Sequence, residues 1–392
     1  MSCWKQRNDF PSCSQGLPLR AGLFRKEYPL KNFFLRHKKL HIWLAVNVVL
    51  LAAFFLLQNR RGFMTALSRV MAVMRRGLAA VSYLVPVSVA ELLVVLLVAA
   101  CVVYIVWSVV AVVRAKGLRL HRLYSAVLGA VCSCVTIYTA FCWLWGFTFY
   151  IDGFQEKSGV YAQDVAVTDL RAVTELFVTG LQKTADAVPR DGNGVFAASP
   201  QDILKSSVHT YDHAEELFPL LAYDDKPPKA VYFSRILSRL DFTGIFCPYT
   251  GEANVNVDSP AAFLPATAAH ELAHQRGFSS EQECNFIAIL ASTTADDVVT
   301  NYSGWLLGYV YLGNALYSAD RAAWEEVYDM LPVGAKLDLI DNNEYWDQFE
   351  DTVVQQVSNT MYDGLLKSYG EEKGIQSYGT VVDMLVAYYT NF

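Results

Sequence analysis

Over its first 150 residues the chain alternates long apolar runs with basic punctuation, and beyond that point it changes to amphipathic periodicity. Residues 40–59 contain no Asp, Glu, Lys or Arg and are bounded by Lys39 and Arg60, which supplies the roughly 20 residues needed to cross a bilayer as a helix. Residues 92–113, between Glu91 and Arg114, repeat the pattern. A third span is predicted within 123–147, and its exit, Trp143-Leu-Trp-Gly-Phe-Thr-Phe-Tyr150, carries the aromatic residues that favour a membrane interface. Between the first two spans, residues 60–84 set five arginines among apolar residues, a pattern that predicts an amphipathic helix lying on the membrane surface. No small-residue cleavage site accompanies the first span, so it reads as an uncleaved helix rather than a signal peptide.

Beyond Gly153 the apolar spacing is mostly helical. Val167, Leu170, Val173, Leu176, Phe177 and Leu181 predict a helix over 164–187, and a similar rhythm predicts one over 200–221. Residues 226–229 read as a linker, and 231–240 as a strand followed by a turn. Within 246–258 the alternation is strict: Glu252, Asn254, Asn256 and Asp258 fall on one face, Ala253, Val255 and Val257 on the other. That predicts a half-buried strand. The chain therefore reads as mainly α, with three N-terminal transmembrane helices, a largely helical domain over 151–392 and a small β-sheet.

Charge sharpens the division. Residues 1–149 carry 18 Lys+Arg against 3 Asp+Glu, and residues 150–392 carry 14 against 35. A net of +15 thus stands beside a net of −21. Basic residues concentrate in the tail 1–39, which holds nine, and in the loop 114–122, which holds four. By the positive-inside rule the N-terminus is cytoplasmic and the acidic domain extracytoplasmic, a multi-pass protein of the cell membrane with the lipid bilayer as a partner. The arginines of 60–84 run against that count. A domain of net −21 is a poor match for nucleic acid. The eight cysteines include no CxxC pair, so no thiolate metal site is indicated; Cys247 and Cys284 read as small buried residues.

The candidate chemistry lies in His270-Glu271-Leu272-Ala273-His274. Four residues advance a helix by slightly more than one turn, so both imidazoles stand on one face, close enough to share a metal ion. Glu271 follows the first ligand directly, where its carboxylate lies beside the metal and can take a proton from an activated water. Pro265 suits the start of this helix and Gly277 its end. A hydrolytic Zn²⁺ wants three protein ligands and an open position. Glu281 is the expected third ligand, with Asn285, one turn on, as the group that orients an imidazole from behind, an ExxxN variant of the ExxxD element of gluzincin metallopeptidases. Glu283 is the rival, although Ser280-x-x-Glu283 also matches a capping box. His209 and His213 share the i, i+4 spacing without an adjacent Glu and read as a solvated helix face.

Peptide hydrolysis also needs a seat for substrate and a donor for the oxyanion. The strand ahead of the metal helix is expected to pair with an extended peptide, with Asn254 and Asn256 as backbone clamps. No histidine follows His274, so Tyr302, ahead of Tyr309 and Tyr311, is the expected oxyanion donor. HExxH lies well outside the apolar spans in sequence, which argues against cleavage within the bilayer.

The three spans, Pro248-Tyr-Thr-Gly-Glu-Ala-Asn254, His270-Glu-Leu-Ala-His-Gln-Arg-Gly277, Glu281-Gln-Glu-Cys-Asn-Phe-Ile-Ala288 and Ser377-Tyr-Gly-Thr-Val-Val-Asp383 together resemble a bacterial membrane-protein family catalogued as domain of unknown function 3810. That family usually has Ala at the position of Cys284. The resemblance implies a zinc metallopeptidase whose substrates are not established. The expectation is a membrane-anchored metallopeptidase, zincin-like in fold, acting on a peptide or protein substrate. The alternative is a non-catalytic membrane signalling or scaffold protein with a structural or sensory zinc site. Cleavage specificity and oligomeric state are not written in the sequence.

Overall fold

The computed structural model describes residues 30–369 and 378–391. Most of the basic tail, Cys3, Cys13 and the start of the closing motif at Ser377 lie outside the described residues.

A short helix α1 (Leu30–Arg36) leads into α2 (Lys38–Leu57), and α4 (Val89–Arg114) and α5 (Arg119–Leu144) complete three helices long and apolar enough to cross a membrane. Each lies within a few residues of its predicted bounds, because an uninterrupted apolar run leaves the backbone no partner but itself once water is removed. α2 and α5 pack together; α4 touches α5, where the Tyr104 hydroxyl donates to the Ala126 carbonyl, and otherwise leaves its valines and leucines exposed.

Helix α3 (Arg61–Ser82) is the predicted amphipathic segment, and its arginines have protein partners. Arg61 pairs with Asp152, Arg76 lies over the ring of Tyr223, and Arg75 is buried over Trp145. Of the five arginines that weighed against the positive-inside count, Arg61 and Arg76 thus contact the acidic domain, and Arg75 is buried at the exit of α5. Val70, Val73 and Val81 remain exposed on the other side of the helix. The aromatic exit of α5 is a 3-10 turn over Gly146–Tyr150, with Phe147 buried against Phe54 and Met64.

The acidic domain begins with α6 (Phe154–Ser158) and α7 (Val167–Thr184), in which Leu170, Val173, Phe177 and Leu181 are buried as predicted. The helix expected over 200–221 is broken into α8 (Pro200–Ser206) and α9 (Asp212–Leu217), with 3-10 turns after each. Ser206 and Ser207 bond back to the carbonyls of Ile203 and Leu204, and such local bonds compete with helix propagation. Buried Tyr211 then anchors the break by donating to the Ala269 carbonyl at 2.7 Å.

The sheet has three short strands, β1 (Lys229–Ala230), β2 (Gly244–Cys247) and β3 (Glu252–Val255), in the order β1-β3-β2. β1 is parallel to β3 and β2 antiparallel, with Ile245 opposite Asn254. Residues 234–239, expected to be strand and turn, form helix α10 (Ser234–Arg239). The predicted half-buried strand is central and buried on both faces. α11 (Leu264–Arg276) lies on β2 and β3, and α12 (Glu281–Thr294) and α13 (Val298–Ala319) build the core with α7. α14 (Arg321–Asp329), α15 (Val333–Asp347), α16 (Val353–Ser368) and α17 (Tyr378–Asn391) close the chain.

The sheet is welded to the start of α4. Glu252 accepts from the backbone N–H groups of Val89 and Ala90, at 3.2 and 2.8 Å, and is paired with buried Lys229. The Lys229 ammonium also donates to the carbonyls of Ser82 and Val87. Glu91 in turn accepts from the N–H groups of Tyr232 and Phe233. The β2–β3 turn sits so tightly under α3 that a Cβ on Gly251, whose φ is +70°, would meet the Arg75 carbonyl oxygen at 2.7 Å.

Candidate metal centre

Helix α11 carries the motif, with Leu264 and Pro265 opening it and Gly277, at φ +104°, ending it in the left-handed conformation that glycine adopts without strain. The helix is held in place by the residue after the motif's glutamine. Arg276 forms a bidentate pair with Asp225 at 2.7 and 2.6 Å, reaches Glu215 at 3.0 Å, and lies 3.5 Å from the ring centre of Tyr211.

The tight turn at Gly277 brings the first residue of α12 back over the motif. His270, His274 and Glu281 offer one ligand atom each, all within 4.8 Å of one another. Glu281 lies 3.2 Å from His270 Nε2 and 3.5 Å from His274 Nε2. Behind the rings, His270 Nδ1 is 2.9 Å from Asn285 Oδ1, and His274 Nδ1 is 2.8 Å from the Phe278 carbonyl. Both acceptors hold a proton on Nδ1, so the Nε2 atoms of both rings turn toward the Glu281 carboxylate. Although burial opposes it, Cys284 and Glu281 raise His274 well above the ordinary imidazole range, so in the absence of a cation a proton fills this place. Three acceptors converging in a protein interior repel one another unless a proton or a cation lies among them. The donor set, two imidazole nitrogens and one carboxylate oxygen, suits Zn²⁺.

Glu271 is buried with its Oε2 lacking any hydrogen-bond partner. Burial pushes its carboxyl up to about 7, against the pull of His270 and His274. Burial would do the same to Glu281, but His274 and His270 hold it well below the ordinary range. Strand β2 passes directly beside the base: a Cβ on Gly244 would meet Glu271 Oε1 at 2.5 Å. Only glycine allows that approach.

Several expectations change. Glu283 stands outside the cluster of His270, His274 and Glu281, and Ser280 makes no side-chain cap, so the capping box does not form. Its carboxylate instead accepts from the N–H groups of Phe154 and Gln155, at 2.7 and 2.9 Å, tying α12 to the first helix after the membrane exit. Asn254 borders the cavity into which the centre opens, but its amide, like that of Asn256, is spent on partners inside the protein. Asn254 donates to the carbonyls of Ile245 and Glu252 and accepts from Ser88; Asn256 donates to Ser238 and Phe242 and accepts from the Asp258 N–H. Both are fully buried, because the start of α4 covers Asn254 through Ser88 and α10 covers Asn256 through Ser238; the edges of the sheet are β1 and β2.

Tyr302 is likewise a core residue, bonded to Asp338 and Arg190 and stacked on Phe196. The tyrosine at the site is Tyr362 of α16, whose hydroxyl donates to Glu281. Nothing in the sequence marks it, since its helix joins the site only through the fold. His209 and His213 are exposed and paired with Asp212 and Asp296, the solvated face expected. Cys247 and Cys284 are free thiols; Cys284 is buried, with its Sγ 3.4 Å from His274 Nδ1.

The centre opens into a cavity of about 1760 Å³ lined by His270, Glu271, His274, Glu281 and Tyr362, by Gly244 to Cys247 of β2, and by Val94, Val95 and Val98 of α4. Although HExxH is far from the apolar spans in sequence, one of those spans walls the site.

The chain belongs to the family described as Protein of unknown function (DUF3810), whose model matches residues 68–386. No curated protein and no solved structure matches it.

Proposed function

We propose that this family member is a membrane-anchored zinc metallopeptidase with a zincin-like active domain on the extracytoplasmic side. The observation that carries the reading is the convergence of two imidazole Nε2 atoms and the Glu281 carboxylate beside a buried carboxylate with an unpartnered oxygen. His270, His274 and Glu281 would hold Zn²⁺, which would supply Lewis-acid polarisation of the scissile carbonyl and a more acidic attacking water.

The chain's own residues do the rest. Glu271 accepts the proton of the attacking water at Oε2 and returns it to the leaving amine. Asn285 and the Phe278 carbonyl hold the two imidazoles in the tautomer that presents Nε2. Tyr362, whose hydroxyl donates to Glu281, would turn that hydroxyl to hydrogen-bond the developing oxyanion. β2, the sheet edge beside Glu271, pairs with the extended substrate backbone. A structural zinc site would close the fourth position with a protein ligand; among the described residues only three ligands converge, and the fourth side is open cavity.

The test is zinc content of the purified full chain, wild type beside Glu281→Ala and Glu271→Gln, with turnover of a randomised peptide pool measured on each. One zinc per chain is expected in the wild type and in Glu271→Gln, with a small fraction in Glu281→Ala. Turnover should be confined to the wild type, since a positioned base contributes roughly 10²–10⁴-fold. Folded wild-type protein that cannot be loaded with zinc, or hydrolysis retained in Glu271→Gln, overturns the reading.

A further inference from the structure

The cavity is larger than peptide recognition at a sheet edge requires, and its composition is uneven. Ligand pockets usually enclose about 300–1,000 Å³, whereas this one encloses about 1760 Å³. Its lining includes the metal ligands, Glu271 and Tyr362, and also Val94, Val95 and Val98 of α4, with Phe233 and Ile236 at the start of α10 and Ile245 of β2. These six line the cavity and are still exposed, from 44% at Ile245 to 60% at Val94. An apolar rim of that kind marks an interaction surface on a protein in water. Here the neighbouring phase is the bilayer, because α4 is one of the three helices apolar enough to span it.

Depth fixes what the wall can take. Val98 lies seven residues past Glu91, the last charge before Arg114. At about 1.5 Å per residue that is about 10 Å into the span, a third of a hydrocarbon core of about 30 Å. Helix α16 adds an independent sign that lipid borders the cavity. It lines the site with Tyr362 and Leu366, and on its remaining surface exposes Val354, Val357 and Met361. Apolar residues at those spacings form one helical face, of the kind that an interfacial helix lays on lipid.

We infer that the cavity admits its substrate sideways from the bilayer, and that the substrate class is a membrane protein cut just beyond its transmembrane segment, on the side of the acidic domain. The apolar segment lies along Val94, Val95 and Val98 while the adjoining extended residues pair with β2 and present a peptide bond to the metal centre. This rests on the peptidase reading for the cut itself, but the seat along α4 is testable without catalysis.

The experiment uses the full-length, zinc-loaded Glu271→Gln chain in phosphatidylcholine vesicles. The probe is a Leu/Ala transmembrane peptide of about 20 residues with a diazirine residue just past the apolar segment, beside the same peptide without that segment and one carrying a palmitoyl chain instead. Labelling mapped by mass spectrometry should fall on 94–98 and 244–247, at least about fivefold above the segment-free peptide, as a buried apolar segment dictates. Val98→Trp, checked by unchanged zinc content, should reduce it to the segment-free level. Labelling elsewhere, labelling indifferent to the apolar segment, or insensitivity to Val98→Trp overturns the inference, and equal labelling by the palmitoyl peptide assigns the wall to an acyl chain and overturns the transmembrane class. Labelling without turnover by the wild type would overturn the peptidase reading alone; turnover of soluble peptides without labelling would overturn the seat alone.

Discussion

Two buried polar clusters in the acidic domain invite comparison. In the first, Arg190 donates to Asp338 at 3.2 Å and to the Tyr302 hydroxyl at 3.3 Å, Tyr302 donates to Asp338, and the Phe196 N–H completes the carboxylate at 2.8 Å. Donors and acceptors match, and the cluster is a finished joint between α13, α15 and the turn after α7. In the second, His270 and His274 turn their Nε2 atoms on Glu281 and need a proton or a cation among them, and Glu271 Oε2 has no partner at all. Both clusters are built from residues that sequence reasoning would nominate for chemistry. The difference between a joint and a site is whether the hydrogen bonding closes without a guest.

The contrast breaks most visibly at Asp338. Asp338→Ala leaves Arg190 and Tyr302 without their acceptor, and removing one partner of a buried pair costs about 3–5 kcal/mol. Thermal unfolding should shift down sharply, while the zinc content of the folded fraction stays at one per chain. Loss of zinc with unchanged stability would reverse the two assignments.

The tyrosines sharpen it next. Tyr362→Phe should lower kcat by about 10²-fold, the loss seen on removing one oxyanion donor, with zinc retained. Tyr302→Phe should leave kcat alone and reduce stability by about 1 kcal/mol, the worth of one hydrogen bond. Steady-state kinetics and denaturant titration on both variants decide it, and equal kcat losses would erase the distinction.

Asn285 gives a comparable or smaller effect. Without its side chain His270 loses the acceptor that fixes its tautomer, and Asn285→Ala should weaken zinc affinity by about 10–100-fold, read by chelator competition. Asn285→Asp should restore it. Asn254→Ala, inside the closed sheet, should leave zinc affinity unchanged.

The smallest effect is the pH response of zinc-free protein. Burial sets Glu271 near 7 in the folded chain, against an ordinary 4.5. A carboxyl whose folded value is raised favours the folded state while protonated, so its contribution declines as pH rises from 4.5 through about 7. Zinc-free Glu271→Gln should therefore melt higher than zinc-free wild type at pH 8 and alike at pH 4, values chosen roughly outside that window on either side. A difference that is constant across pH would remove Glu271 from the account.

What could be read from the chain follows from how local each signal is. The three spans, the motif helix with its glycine stop, and Glu281 with Asn285 one turn on are all short-range patterns, and each appears where the spacing put it. The strand residues misled because alternation reports which side chains share a face, not whether that face meets water. Asn254 and Asn256 face inward because the start of α4 covers the first through Ser88 and α10 covers the second through Ser238. Tyr362 escaped notice since an amphipathic helix carries no mark of what its buried face touches.

By itself, the sequence determined the apolar lengths, the charge division and the i, i+4 placement of two imidazoles, since hydrophobic run length and helical period act within one segment. Only the tertiary structure decided which strand is the edge, which glutamate is left for the metal, which tyrosine reaches it and that α4 walls the cavity. Those depend on segments far apart in the chain competing for the same buried space and the same hydrogen bonds, a competition settled by packing rather than by local pattern.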